Sequence, residues 1–204
     1  MDLISGLSML RPFGRITGSM GLSLHYHGSL GDPARLAELV AELEDIAESM
    51  GWESHRITRD DGNPEFEGII LNTDDGTEPL PFLFDRNDRL RTLADLICHQ
   101  FKADPRCSYY VSVKTQFGQI PTHLWICGLL RYLKSKYLPD LQVNDEGEYY
   151  ETGNLSMLTE RRDFLTGKIR EIAEGLSTVS SRAETPEELV AEIEKYFCER
   201  GEGI

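Results

Sequence analysis

The sequence predicts an α+β protein, and three patterns carry that prediction. Apolar residues alternate along 22–26, apolar residues recur at helical spacing along 36–50, and the order strand, helix, strands, helix then occurs a second time. The expected architecture is two related strand-helix-strands-helix units of ferredoxin-like general plan. The sheet is expected to be antiparallel or mixed with helices on one face, built either as one sheet by both units or as two separate sheets, and a C-terminal helix follows. The corresponding division is an irregular lead-in over 1–20, a first α+β unit over 21–104, a second over 105–176, and a linker with the last helix over 177–204, all of which one compact domain could also contain.

In the lead-in, Gly6, Pro12, Gly14 and Gly18 are spread among apolar residues, which disfavours a regular element. From Leu22 the period is two: Leu22, Leu24 and Tyr26 point one way and Ser23, His25, His27 and Ser29 the other, as on a strand with one apolar face. Asp32 and Pro33 then supply an N-cap and a first-turn proline. Leu36, Leu39, Val40, Leu43, Ile46, Ala47 and Met50 form a helical stripe that Gly51 ends. The opposite face, with Glu38, Glu42, Asp45 and Glu48, reads as solvated.

Three short strands are expected next, Glu53 to Thr58, Phe66 to Asn72 and Leu80 to Phe84. The segments between them, Asp60-Asp61-Gly62-Asn63-Pro64 and Asp74-Asp75-Gly76, carry turn chemistry. A helix from Asp88 to Phe101 closes the first unit. Beyond Asp104-Pro105 the pattern predicts a strand over Tyr109 to Phe117, a helix over Pro121 to Tyr137, two strands within Leu141 to Thr152, and a helix over Leu155 to Leu176. Ser177 to Glu184 is polar and helix-poor, and Thr185-Pro186-Glu187-Glu188 is a capping box that starts the last helix.

The charge balance narrows the function. A net charge of −14 repels phosphate backbones and anionic membrane surfaces, so neither nucleic acid nor membrane is an expected partner. The short basic run Arg131, Lys134 and Lys136 reads as the cationic end of a helix. No apolar run approaches the ~20 residues of a membrane-spanning helix, and Asp2, Arg11 and Arg15 interrupt the N-terminal apolar stretch where a secretion signal would be continuous. Cys98, Cys107, Cys127 and Cys198 are scattered without a close pair, which points to a reduced, cytoplasmic setting, with Cys98 and Cys127 read as buried packing residues.

Four groups of residues invite a chemical reading. His25 and His27 project from one face of the first strand. If the strand with Lys114 and Gln116 lies beside it, these four would form a polar strip for a ligand. Alternatively His25 and His27 ligate a divalent metal and a carboxylate of the 145–151 segment, Asp145 or Glu148, completes the shell of a metal-dependent enzyme. His123 and Cys127 lie one helical turn apart but have no second close pair, so packing or capping is the simpler role. Asp74-Asp75-Gly76 lacks the ligand series of a calcium loop. His55 and His99 have no partners in sequence.

No phosphate-cradling loop, dinucleotide fingerprint, serine elbow or zinc-protease helix is present. The leading expectation is therefore a noncatalytic binding or regulatory module without a cofactor, using the exposed sheet face for a protein or small ligand. Its rivals are the metal enzyme and an acidic protein that masks a basic partner.

Overall fold

The computed structural model describes residues 22–59, 65–100, 110–180 and 185–199. The lead-in over 1–20, the separator 60–64, the boundary at Asp104-Pro105, Cys107 and the last five residues lie outside them, as do the side chains of His99 and Cys198. Two antiparallel sheets and six α-helices make up the described α+β fold. The chain runs β1 (Ser23–His27), a short 3-10 turn (Pro33–Arg35), α1 (Leu36–Met50), β2 (Glu53–Ile57), β3 (Glu67–Asn72), β4 (Leu80–Phe84), β5 (Leu90–Arg91) and α2 (Leu93–Gln100). It continues through β6 (Val111–Lys114), α3 (Ile120–Lys136), β7 (Gln142–Asp145), α4 (Tyr149–Thr152), α5 (Leu155–Ser180) and α6 (Pro186–Glu199).

One sheet is the meander β2-β3-β4-β5, and the other has the order β6-β1-β7. The second order crosses the expected boundary at residue 104. β1 is the middle strand of a sheet whose flanking strands both come from beyond that boundary. The alternation of β1 explains its central place: Leu24 and Tyr26 are fully buried, so one face of the strand must be covered, and pairing on both edges satisfies its backbone. Burying side chains of this size is worth roughly 1.5–3 kcal/mol each.

The two sheets meet over one continuous core. Tyr26 donates its hydroxyl to the Pro81 carbonyl at 3.0 Å and stacks on Phe82 at 5.8 Å between ring centroids, which ties β1 to β4. α1 contributes Leu36, Leu39, Val40, Leu43 and Ala47 to this core, and α3 contributes Ile126, Cys127, Leu129, Leu130 and Leu133. The Asp32 carboxylate accepts the Ala34 N–H and so caps the 3-10 turn that leads into α1, and Gly51 closes the helix with φ 69°, as its sequence predicts. Gly68 in β3 is required by space. A Cβ there would lie 2.0 Å from the Phe82 carbonyl oxygen at φ 149°.

Several boundaries differ from the sequence expectation. Leu90 belongs to β5, where it pairs with Phe84, and α2 begins only at Leu93. The Asp85 carboxylate holds the N–H groups of Asn87 and Arg89 in a turn, and Thr92 and Asp95 cap each other at the helix start. The 141–152 segment holds one strand, not two. After β7 the Asp145 carboxylate gathers the Gly147 and Tyr150 N–H groups and turns the chain into α4, overriding the β propensity of Tyr149 and Tyr150. α5 runs on to Ser180 past the expected break at Ser177, with Gly167 and Gly175 inside it. α6 starts as expected, with the Glu188 N–H on the Thr185 hydroxyl at 3.2 Å.

The acidic face of α1 is less solvated than its sequence suggests. Glu42 accepts from Lys136 at 2.8 Å and from the hydroxyls of Tyr132 and Tyr137, so α1 and α3 are joined by a polar seam. Lys136 of the basic run is therefore engaged, and Arg131 donates to the Tyr149 and Tyr150 carbonyls. Cys127 is buried as expected, whereas Cys98 is only half-buried. Among the described residues no helix is long and apolar enough to cross a membrane.

Candidate functional site

The outer face of the β6-β1-β7 sheet brings together most of the polar strip. In the observed register His25 stands between Ser112 and Asn144, and Ser23 faces Lys114. His27 faces Gln142 and meets the Tyr110 ring edge-on at 4.4 Å. Directly opposed residues share a face, so His25, His27, Ser112, Lys114, Gln142 and Asn144 project together. None of these six is buried. Gln116 does not join them: it lies past the end of β6, is 5% exposed, and its side-chain nitrogen has no hydrogen-bond partner.

A carboxylate of the 145–151 segment does reach His25, and it is Glu146. Its Oε1 is 3.2 Å from His25 Nε2, and its Oε2 accepts the Ser23 N–H at 2.8 Å. Asp145 and Glu148 lie elsewhere. Asp145 pairs with Leu24 in register and so points to the inner face, opposite His25 and His27, because successive side chains of β7 alternate. Glu148 forms an ion pair with Arg161 of α5.

Asp145 instead completes a buried cluster with the two α3 residues whose sequence spacing lacked a partner. His123 Nε2 is 3.0 Å from Asp145 Oδ2, and Cys127 Sγ is 3.8 Å from the same oxygen. On its far side His123 Nδ1 meets the Thr115 hydroxyl at 2.8 Å, and that hydroxyl also lies 3.2 Å from the Leu22 carbonyl. Among the described residues this is the one group of three His, Cys, Asp or Glu side chains whose ligand atoms all lie within 4.8 Å of one another.

Burial acts on both acidic members. It is the largest influence on Asp145 and pushes its carboxyl up. The hydrogen bond and charge of His123, with the N–H groups of Tyr150 and Gly147, outweigh it and leave the carboxyl below its ordinary range. Burial, reinforced by the Asp145 charge, pushes the Cys127 thiol well above its ordinary value, so the sulfur is an unreactive thiol in the absence of a cation.

The sequence signal for this cluster was the i, i+4 spacing of His123 and Cys127 on the apolar stripe of α3. The missing element was Asp145, 18 residues beyond Cys127, which only the return of the chain through β7 supplies. Asp75, set aside as a calcium ligand, serves as a capping group: it accepts the N–H groups of Gln119 and Thr77 and holds the start of α3. Comparison with protein-family models, with curated proteins and with solved structures finds no match to this chain.

Proposed function

We propose that the protein is a noncatalytic binding or regulatory module that docks a partner protein on the outer face of the β6-β1-β7 sheet. The observation that carries this reading is the set of six polar side chains on that face, none of them buried, beside the exposed ring of Tyr110. A partner protein is favoured over a small anion because Glu146 already occupies His25 and Gln116 is withdrawn from the strip. The net charge of −14 steers basic partners toward the molecule, while the face itself offers hydroxyl, amide and imidazole groups and the single cation Lys114 for fixing register. In this reading the module works in the cytoplasm, which free Cys98 and Cys127 support. The finer fold reading of two repeated ferredoxin-like units rests on the recurring element order alone, and the pairing of β1 with β6 and β7 favours a single interwoven unit.

A photo-crosslinking residue placed at Ser112, on the proposed face, and at Glu53, on the exposed edge strand β2, tests the reading in living cells. The expected outcome is a discrete protein adduct at Ser112 that is absent at Glu53 and whose yield falls when irradiation is repeated in lysate at rising salt. Equal labelling at both positions, or no adduct at Ser112, refutes the docking face. Turnover of any compound in a broad metabolite panel that disappears in His25→Ala refutes the noncatalytic assignment.

A further inference from the structure

We propose that His123, Cys127 and Asp145 form a binding site for a zinc-class divalent cation that clasps α3 to β7. The site lies on the inner side of the sheet and is independent of the docking face.

Three features of the cluster carry the inference, the first being its size. Zinc bonds of about 2.0 Å to nitrogen and oxygen and about 2.3 Å to sulfur, set at tetrahedral angles, hold ligand atoms roughly 3.3–3.5 Å apart. The observed Nε2 to Oδ2 and Sγ to Oδ2 separations, 3.0 and 3.8 Å, bracket that spacing. The third separation, between His123 Nε2 and Cys127 Sγ, lies within 4.8 Å, so the three ligand atoms already surround one ion-sized position.

The second feature is charge. A thiolate and a carboxylate sum to minus two, and a divalent ion with a neutral imidazole brings the buried group to zero. Without the ion, the Asp145 carboxylate sits in the core with His123 and the Gly147 and Tyr150 N–H groups to offset its desolvation. The mixed sulfur, nitrogen and oxygen donor set selects a borderline ion of the zinc class over magnesium or calcium, which prefer all-oxygen shells.

The third feature is the support behind the histidine. A metal-bound imidazole uses Nε2 as a lone-pair donor, so its proton moves to Nδ1, and there the Thr115 oxygen stands 2.8 Å away as acceptor. Thr115 can then give its own proton to the Leu22 carbonyl, 3.2 Å away, so each donor in the chain has an acceptor. Binding releases the Cys127 thiol proton to solvent, and any proton on His123 Nε2 leaves that nitrogen, so that the bound imidazole carries its one proton on Nδ1. The fourth coordination position falls to a water, since no fourth His, Cys, Asp or Glu of the described residues joins the group.

The full chain, expressed without a polyhistidine tag, is analysed for metal and then titrated with zinc and with cobalt after chelation. One zinc per chain is expected, together with a thiolate-to-cobalt charge-transfer band in the cobalt protein and a thermal midpoint that rises on zinc addition. Cys127→Ala should lose the ion. Thr115→Val should bind it about 10- to 100-fold more weakly. The double variant His25→Ala, His27→Ala should keep it, which separates this site from the docking face. If Cys127→Ala does not fold, the cobalt spectrum of the unaltered chain decides. A wild-type chain that takes up neither metal, or a cobalt complex without the charge-transfer band, overturns the proposal.

Discussion

Strand β7 ends at Asp145 and Glu146 follows it, and these adjacent carboxylates meet two histidines on opposite faces of one sheet. His25 and Glu146, 3.2 Å apart, retain 30% and 19% of their side-chain exposure, whereas His123 and Asp145, 3.0 Å apart, retain 2% and 0%. The separations are nearly equal, so the difference lies in the medium. On the outer face water screens the pair and can replace either partner. On the inner face each group depends on its neighbours, because an unpaired charge there has no water to turn to. A histidine beside a carboxylate therefore makes an adaptable docking surface on one side and a rigid, metal-sized cluster on the other.

The sharpest way to break this contrast is to remove one carboxylate at a time. In metal-free protein, Asp145→Ala leaves His123 and the Gly147 and Tyr150 N–H groups without their acceptor. It should cost about 3–5 kcal/mol by urea denaturation. A loss as small as that of a surface pair would show that the inner cluster contributes no more than the outer one.

A carboxylate held chiefly by N–H and hydroxyl groups, with no histidine, supplies an intermediate case. Burial is the largest influence on Asp75 and raises its carboxyl. The Gln119 and Thr77 N–H groups and the Thr122 and Thr73 hydroxyls together outweigh burial and leave it well below the ordinary 3.8. A depressed folded value means the contribution to stability is fully present above the ordinary value and is lost as pH falls below it. Asp75→Ala should therefore cost about 0.5–2 kcal/mol at neutral pH, in the range of a lost helix cap. The gap from the wild type should begin to narrow below about pH 4 and go on narrowing in stronger acid. Denaturation midpoints at pH 7 and pH 3 check this, and a gap that widens in acid contradicts the sign. At the small end, Glu146→Gln on the outer face should change stability by no more than about 1 kcal/mol, read from the same urea midpoints.

Much of this frame is legible in the residues. The alternation of Leu22, Leu24 and Tyr26 marks the buried side of β1, Asp32-Pro33 starts the 3-10 turn that leads into the first long helix, and Gly51 ends that helix. These features are local: each depends on side-chain periodicity or on a backbone preference acting within one turn or one strand. The 141–152 segment was misread for a related reason. Its tyrosines favour strand locally, and the capping by Asp145 that overrides them depends on a carboxylate already pinned by His123.

By itself the sequence determined the α+β class, the strong acidity, the faces of β1 and α1, and the pairing of His123 with Cys127 on one side of α3. Only the tertiary structure decided that β1 sits between β6 and β7, that Glu146 and not Asp145 meets His25, and that Asp145 closes the inner cluster. The physical reason is range: periodicity reveals which side of an element is greasy, but which distant strand covers that side depends on long-range pairing and packing that a linear pattern does not encode.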